Sequence, residues 1–321
     1  MSIINPYSTL THSIFQIILL YLSLMKTICQ IIILIVGLLS VQGAFSFQEG
    51  FLHKKGKLSS IKIHPIDSTF STITYDVQLT SDKKDTIRGR IRKPIAQGIN
   101  YPLAFLVVGV ETDREVVNMI SGFDSVIVFG MDYPFKEEMN FSGWKSISTA
   151  LALREVGYKT IPQLLLCLDW LSTLSEVDTS NITIVAVSFG VFTAVPAAAL
   201  DRRVDRLVVI QGGGDLYSVF STNAERLKFP LPPFLAGWVG MIILDPFEPN
   251  DYIEKFSPRP FLLVSGESDV LFPISSVQSL FDHAKKPKEW IKHKSSHVAP
   301  DERELILELT KLVGKKLYGG R

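Results

Sequence analysis

Residues Asn181–Leu200 read NITIVAVSFGVFTAVPAAAL, and the order of residue types in this stretch decides how the rest of the chain is read. Ile182 to Val187 is a continuous, β-branched apolar run of strand length, and Phe189 to Leu200 is a run of small and apolar residues of helix length. Between them the chain must turn sharply at Ala186-Val187-Ser188-Phe189-Gly190. A strand this apolar along its length is buried on both faces, as strands of parallel sheets are. Ser188 therefore stands at the carboxyl end of a buried strand and the amino end of a helix, where backbone N–H groups point outward unpaired. A serine there either caps the helix or acts as a nucleophile. For the second role it needs a general base within hydrogen-bond reach, a carboxylate to orient that base, and fixed donors for a developing oxyanion.

The same signature of continuous apolar residues recurs at Leu103 to Val108, Ser125 to Phe129, Leu207 to Ile210 and Phe261 to Val264. Helical patterns are expected at Glu115 to Ile120, Ile161 to Leu174 and Ile274 to His283, with a further strand at Lys288 to Lys294 and a closing helix from Pro300 to Leu317. Ahead of these, Ser71 to Thr80 and Thr86 to Arg92 alternate around the turn 81–85, which predicts an antiparallel hairpin with one wet face. The fold class expected is α/β: a mostly parallel central sheet with an antiparallel N-terminal hairpin and helices on both faces. The segment between Gly214 and Arg259 far exceeds the dozen or so residues a crossover requires. It is rich in large apolar groups, among them Tyr217, Phe220, Phe234, Trp238 and Ile242, and reads as a small helical cap over about 215–258. The plainer alternative is an extra packed helix that never touches substrate.

The acid and the histidine that Ser188 would require come after later strands. Beyond FLLV the chain runs Ser265-Gly266-Glu267-Ser268-Asp269-Val270-Leu271-Phe272-Pro273, and beyond KEWIKHK it runs Ser295-Ser296-His297-Val298. Both loops leave carboxyl ends of strands, where open α/β sheets gather their ligands. Asp269, at the loop tip, is preferred to Glu267, and His297, in a loop before a helix, is preferred to the strand residue His293.

With these pieces in place, the region from about Ser71 to the end resembles the α/β-hydrolases, of the type of dienelactone hydrolases and prolyl oligopeptidase catalytic domains. The matching motifs are the elbow AVSFG, the loop GESDVLFP, the terminal SSHV and the strand PLAFLVVG. The resemblance implies a serine hydrolase acting on a carboxylic ester, with Ser188 as nucleophile, His297 as general base and Asp269 as its orienter. It implies oxyanion donors at the backbone N–H of Phe189 and in the loop after LAFLVVG, at Val110 or Glu111. Two positions depart from the usual pattern: Ala186 replaces the first glycine of GxSxG, and Val108-Gly109 replaces a His-Gly pair. A peptidase of the prolyl-oligopeptidase kind and a non-catalytic binding protein on the same fold are the alternatives. Too few residues precede the first hairpin for the propeller of the former.

Composition narrows the partners. The 321 residues are 46% hydrophobic and 20% charged, with 33 basic and 32 acidic residues, a balance that steers nothing toward nucleic acid. Neither cysteine, Cys29 or Cys167, has metal-ligand spacing, and no cofactor is expected; the run Gly212-Gly213-Gly214 lacks the companions of a phosphate loop. Residues 1–43 carry one formal charge, Lys26, and from Met25 they have the order of a secretory signal: a lysine, an apolar run, then Gly43, Ala44 and Ser46. Export to the periplasm or medium is expected, with a membrane anchor formed by residues 14–41 as the alternative. Residues 44–60 read as a linker and 61–321 as the hydrolase domain, and the partner expected is a small-molecule ester with an apolar acyl or aryl part.

Overall fold

The structure is a computed structural model of the chain, and it describes residues 47–109, 112–134 and 142–319 together with Gln16 and Ser23. Two compact units are distinguished, Met1–Glu49 and Gly50–Arg321. In the first, the described residues are helical, and the segment read as signal or anchor otherwise lies outside the described residues. Among the described residues no helix is long and apolar enough to cross a membrane.

The second unit is organised by strands β1 (Leu58–Ser68), β2 (Thr72–Ser81), β3 (Thr86–Pro94), β4 (Tyr101–Val107), β5 (Ile127–Met131), β6 (Val177–Val187), β7 (Arg206–Ile210), β8 (Phe261–Gly266) and β9 (Lys288–His293). Among the described residues they form one sheet in the order β1-β2-β3-β5-β4-β6-β7-β8-β9. The first four in that order pair antiparallel and the others parallel. The helices are α1 (Phe47–Lys55), α2 (Val116–Met119), α3 (Lys145–Leu171), α4 (Val191–Leu200), α5 (Leu216–Asn223), α6 (Pro233–Leu244), α7 (Pro249–Phe256), α8 (Ile274–His283) and α9 (Arg303–Tyr318). This is the mostly parallel α/β sheet with an antiparallel N-terminal edge expected from the sequence, with β1 outermost at that edge.

Alternation along the strands divides the interior in two. Leu103, Phe105 and Val107 of β4, with Ile127 and Phe129 of β5, face the layer of α3, α4, α7 and α8. The intervening Ala104, Leu106, Val126 and Val128 face α2 and α9. The first side is filled by rings: Phe105 meets Phe129 at 4.9 Å, and Phe129 meets Trp170 at 5.8 Å. The second is made of shorter aliphatic side chains, a difference that shapes the space at the strand ends.

Three stretches differ from the sequence reading. Residues 47–55, expected within a linker, form α1, whose Phe51 is buried with its ring 5.7 Å from Tyr158 and 6.1 Å from Phe247. Lys55 adds an ion pair with Asp169 at 2.6 Å, and Lys54 lies over the Tyr158 ring. Strand β1 has no counterpart in that reading because it lies on the sheet edge with little burial on either face, so LSSIKIHPIDS lacks a clear apolar alternation. Helix α3 begins at Lys145 rather than Ile161, and Pro162 lies inside it. Proline favours the first helical turn, and that preference masks the helical turns preceding it. The 215–258 segment forms α5, α6 and α7 around a short 3-10 turn.

Candidate active site

Ser188 sits in the tight turn 188–190 between β6 and α4, with φ of +53°. That left-handed conformation is strained for a residue with a Cβ and aims the side chain out of the strand-helix junction. Gly190 makes the turn feasible: a Cβ there would lie 2.0 Å from the Val107 carbonyl oxygen of β4. Ala186, at the other glycine position of the usual elbow, is fully buried and fits without such a clash.

The structure brings Ser188, His297 and Asp269 together. Ser188 Oγ is 2.7 Å from His297 Nε2, and His297 Nδ1 is 2.9 Å from Asp269 Oδ2. The carboxylate is fixed from its other oxygen, which accepts from the backbone N–H groups of Leu271 at 2.8 Å and Phe272 at 3.2 Å. A turn that closes on its own aspartate leaves one oxygen free to orient the imidazole. The Phe272 ring lies nearly parallel to that of His297, 6.0 Å away. Glu267 is exposed, and His293 pairs with Glu308 at 3.3 Å instead of approaching Ser188. Cys167 is buried beside Met131, where burial pushes its thiol up, so it is a packing residue. Among the described residues no cluster of His, Cys, Asp or Glu could hold a metal ion.

Gln211, unremarkable in the sequence, holds the histidine loop in place. It is fully buried at the end of β7 with φ of +50°. Its Nε2 donates to the Ser296 carbonyl at 2.6 Å and to Ser295 Oγ at 3.1 Å, while its Oε1 accepts the Val298 N–H at 2.5 Å. Residues on both sides of His297 are thereby tied to one side chain. The only available signal is a lone polar residue closing an apolar strand. The glycines after it permit a close approach, since a Cβ on Gly213 would meet Ser276 Oγ at 2.2 Å.

Of the oxyanion donors expected from the sequence, Phe189 comes directly after Ser188 in the turn, and its ring packs edge-on against Tyr133 and Phe192. Val110 and Glu111 lie outside the described residues. The flanks of their loop are anchored firmly. The buried Tyr133 hydroxyl donates to the Val108 carbonyl at 2.8 Å, and the Tyr133 N–H donates to Asp113 Oδ1 at 2.9 Å. Arg114 approaches Asp132 at 3.4 Å, and Arg90 bridges Asp76 and Glu115, each at 2.7 Å.

Burial pushes the Asp113 carboxyl up to about 6, with Asp132 adding to the effect and the Tyr133 N–H and Arg114 opposing it. A carboxyl raised on folding binds more protons in the folded than in the unfolded chain between its ordinary value near 4 and the raised one. Its contribution therefore favours folding below that window and is lost as pH rises through it. Asp113→Asn keeps the acceptor for Tyr133 and suits the left-handed backbone, φ +47°. The variant is expected to melt higher than the parent above pH 6, with the difference vanishing toward pH 4 in a melting-temperature series.

Next to Ser188 and His297 opens a cavity of about 410 Å³. Among the described residues none of 215–258 lines it, so the apolar groups of α5 and α6 do not form its wall. Tyr217 packs on Trp238 with ring centroids 5.8 Å apart, while Phe234 and Trp238 remain exposed, and Arg154 of α3 bonds the Ile243 carbonyl.

No family model and no curated protein matches the sequence. Solved structures do match the fold. An acetyl xylan esterase from a Paenibacillus species superposes with TM-score 0.62 at 15% identity, over 84% of this chain and 95% of that one. Acetyl xylan esterase 1 from a Thermoanaerobacterium species gives 0.58 at 14%, over 85% and 94%. A cold-adapted esterase from an Arctic intertidal metagenomic library gives 0.55 at 16%, over 81% and 99%. At these identities the likeness is one of fold, and the fold is that of the α/β-hydrolases.

Proposed function

We propose that this protein is a serine hydrolase that cleaves carboxylic esters through an acyl-enzyme on Ser188. The observation that carries the reading is the continuous chain Ser188 Oγ, His297 Nε2, His297 Nδ1, Asp269 Oδ2, with links of 2.7 and 2.9 Å, at a strained strand-helix turn. His297 would take the Ser188 proton as Oγ attacks the ester carbonyl, then return it to the leaving alkoxide. In the second half it would take a proton from the attacking water and return it to Ser188. Asp269 would keep the proton on Nδ1 so that Nε2 accepts. The Phe189 N–H and one from Val110 would receive the oxyanion. Esterase neighbours of the same fold favour an ester over an amide.

Labelling with a fluorophosphonate probe, followed by assay of nitrophenyl esters and of peptide amides, tests this. Labelling with ester turnover is the expected result. Turnover of peptides in place of esters would replace the reading by a peptidase, and no labelling of folded protein would overturn it altogether. We also propose, from the signal layout that begins at Met25, that the protein is exported. Cell fractionation should find it outside the cytoplasm, and a soluble cytosolic product would refute this.

A further inference from the structure

The cavity beside Ser188 has a shape and a chemistry that the proposed reaction alone does not require. It lies on the aliphatic side of the sheet. Its floor is formed by Leu106, Val128 and Val185, and its roof by Met119 of α2 with Leu309 and Val313 of α9. Among the described residues no Asp, Glu, Lys or Arg lines it. Ring packing fills the opposite side of the same sheet, whereas this side leaves about 410 Å³ open. The hollow is partly open to solvent, so it is a cleft that a ligand can enter and not a sealed packing void. A hollow this large, opening onto a nucleophile, falls within the size range of ligand pockets.

Its length is set by α9. Ile306, Leu309, Val313 and Leu317 all line the cavity, successive members of one helical face, and the span from the first to the last rises about 16 Å. That is the reach of an extended chain of about a dozen carbon atoms. The His297 loop leads directly into α9, so the near end is at the serine, and Phe123, packed against Gly314 and Tyr318, stands toward the far end. A sugar or a charged acyl group would lose its hydrogen bonds in such a channel. We propose that the cavity is a tunnel for a linear, unsubstituted acyl chain of medium to long length, which places the physiological substrates among fatty-acyl esters. The inference deepens the ester-hydrolase reading and rests on it for the reaction, though not for binding of the chain.

The test uses the purified full chain and nitrophenyl esters from acetate to dodecanoate, with the effect of free dodecanoate on melting temperature measured alongside. In the parent, kcat/KM should climb with acyl length, by about fourfold per methylene at full burial, until the tunnel is filled. Val313→Trp, which places an indole across the channel, should lower the decanoate-to-acetate ratio at least tenfold and remove stabilisation by dodecanoate. Lys311→Ala, on the exposed face of the same helix, should leave the ratio as it is. If Val313→Trp fails to fold, Val128→Phe obstructs the same space from the sheet. Acetate turnover with no rise along the series and no stabilisation by dodecanoate overturns the tunnel alone, as does a ratio unchanged in a folded blocked variant. Stabilisation by dodecanoate that the block removes, without hydrolysis of any ester, overturns the hydrolase reading and upholds the tunnel.

Discussion

Ser188→Ala is expected to lower kcat for a nitrophenyl ester by about 10⁴- to 10⁶-fold and to abolish fluorophosphonate labelling, while the melting temperature stays close to that of the parent. The magnitude reflects the way such groups act as a unit. In the proposed reaction, removing Ser188 would leave His297 and Asp269 with no bond to activate, and the residual acceleration would be that of positioning and oxyanion donors. The stability forecast has a separate basis. The Ser188 hydroxyl bonds His297 Nε2, the residue is half-buried, and alanine has the same backbone requirement at φ +53°. Measured with matched folded protein, a loss below about tenfold would show that Ser188 is not the attacking group.

Gly190→Ala carries the second large effect, on folding. The backbone at Gly190 is ordinary helix, φ −55°, so the difficulty lies in space and not in conformation. An added Cβ would meet the Val107 carbonyl oxygen at 2.0 Å and its carbon at 2.6 Å. Neither atom can swing aside, because β4 is hydrogen-bonded on both edges, to β5 and to β6. Overpacking against backbone in the centre of a sheet is expected to cost about 3 kcal/mol or more. In a unit of this size that lowers the melting temperature by roughly 6–12 °C. Thermal and urea unfolding monitored by circular dichroism measure it. A stability equal to that of the parent would mean that the elbow and β4 stand too far apart for this clash.

The parallel half of the fold is legible because burial on both faces writes uninterrupted apolar runs such as FLLV and TIVAV, which need no tertiary information to read. The hairpin is legible from its alternation. Strand β1 and helix α1 are not, since one is an edge held by backbone pairing and the other is held by the Phe51 ring and by charged contacts from Lys54 and Lys55 that become visible only in the fold. In the site, Asp269 and His297 can be named because each lies in a short loop at a strand end. Gln211 cannot, because its role is visible only when residues 295–298 are folded back upon it. The cavity is equally hidden. The apolar groups of the 215–258 insertion attract attention in the sequence, whereas the lining comes from valines and leucines that read as ordinary core.

The Val107 carbonyl that excludes a side chain at Gly190 also closes the strand from which Val108, Gly109 and their loop emerge. The serine turn and the end of β4 are therefore gauged from the same peptide group. The separation of those two is set by backbone atoms, so an exchange of side chains along β4 would leave it unchanged. Side chains around the turn can therefore vary without altering how closely it sits on the sheet.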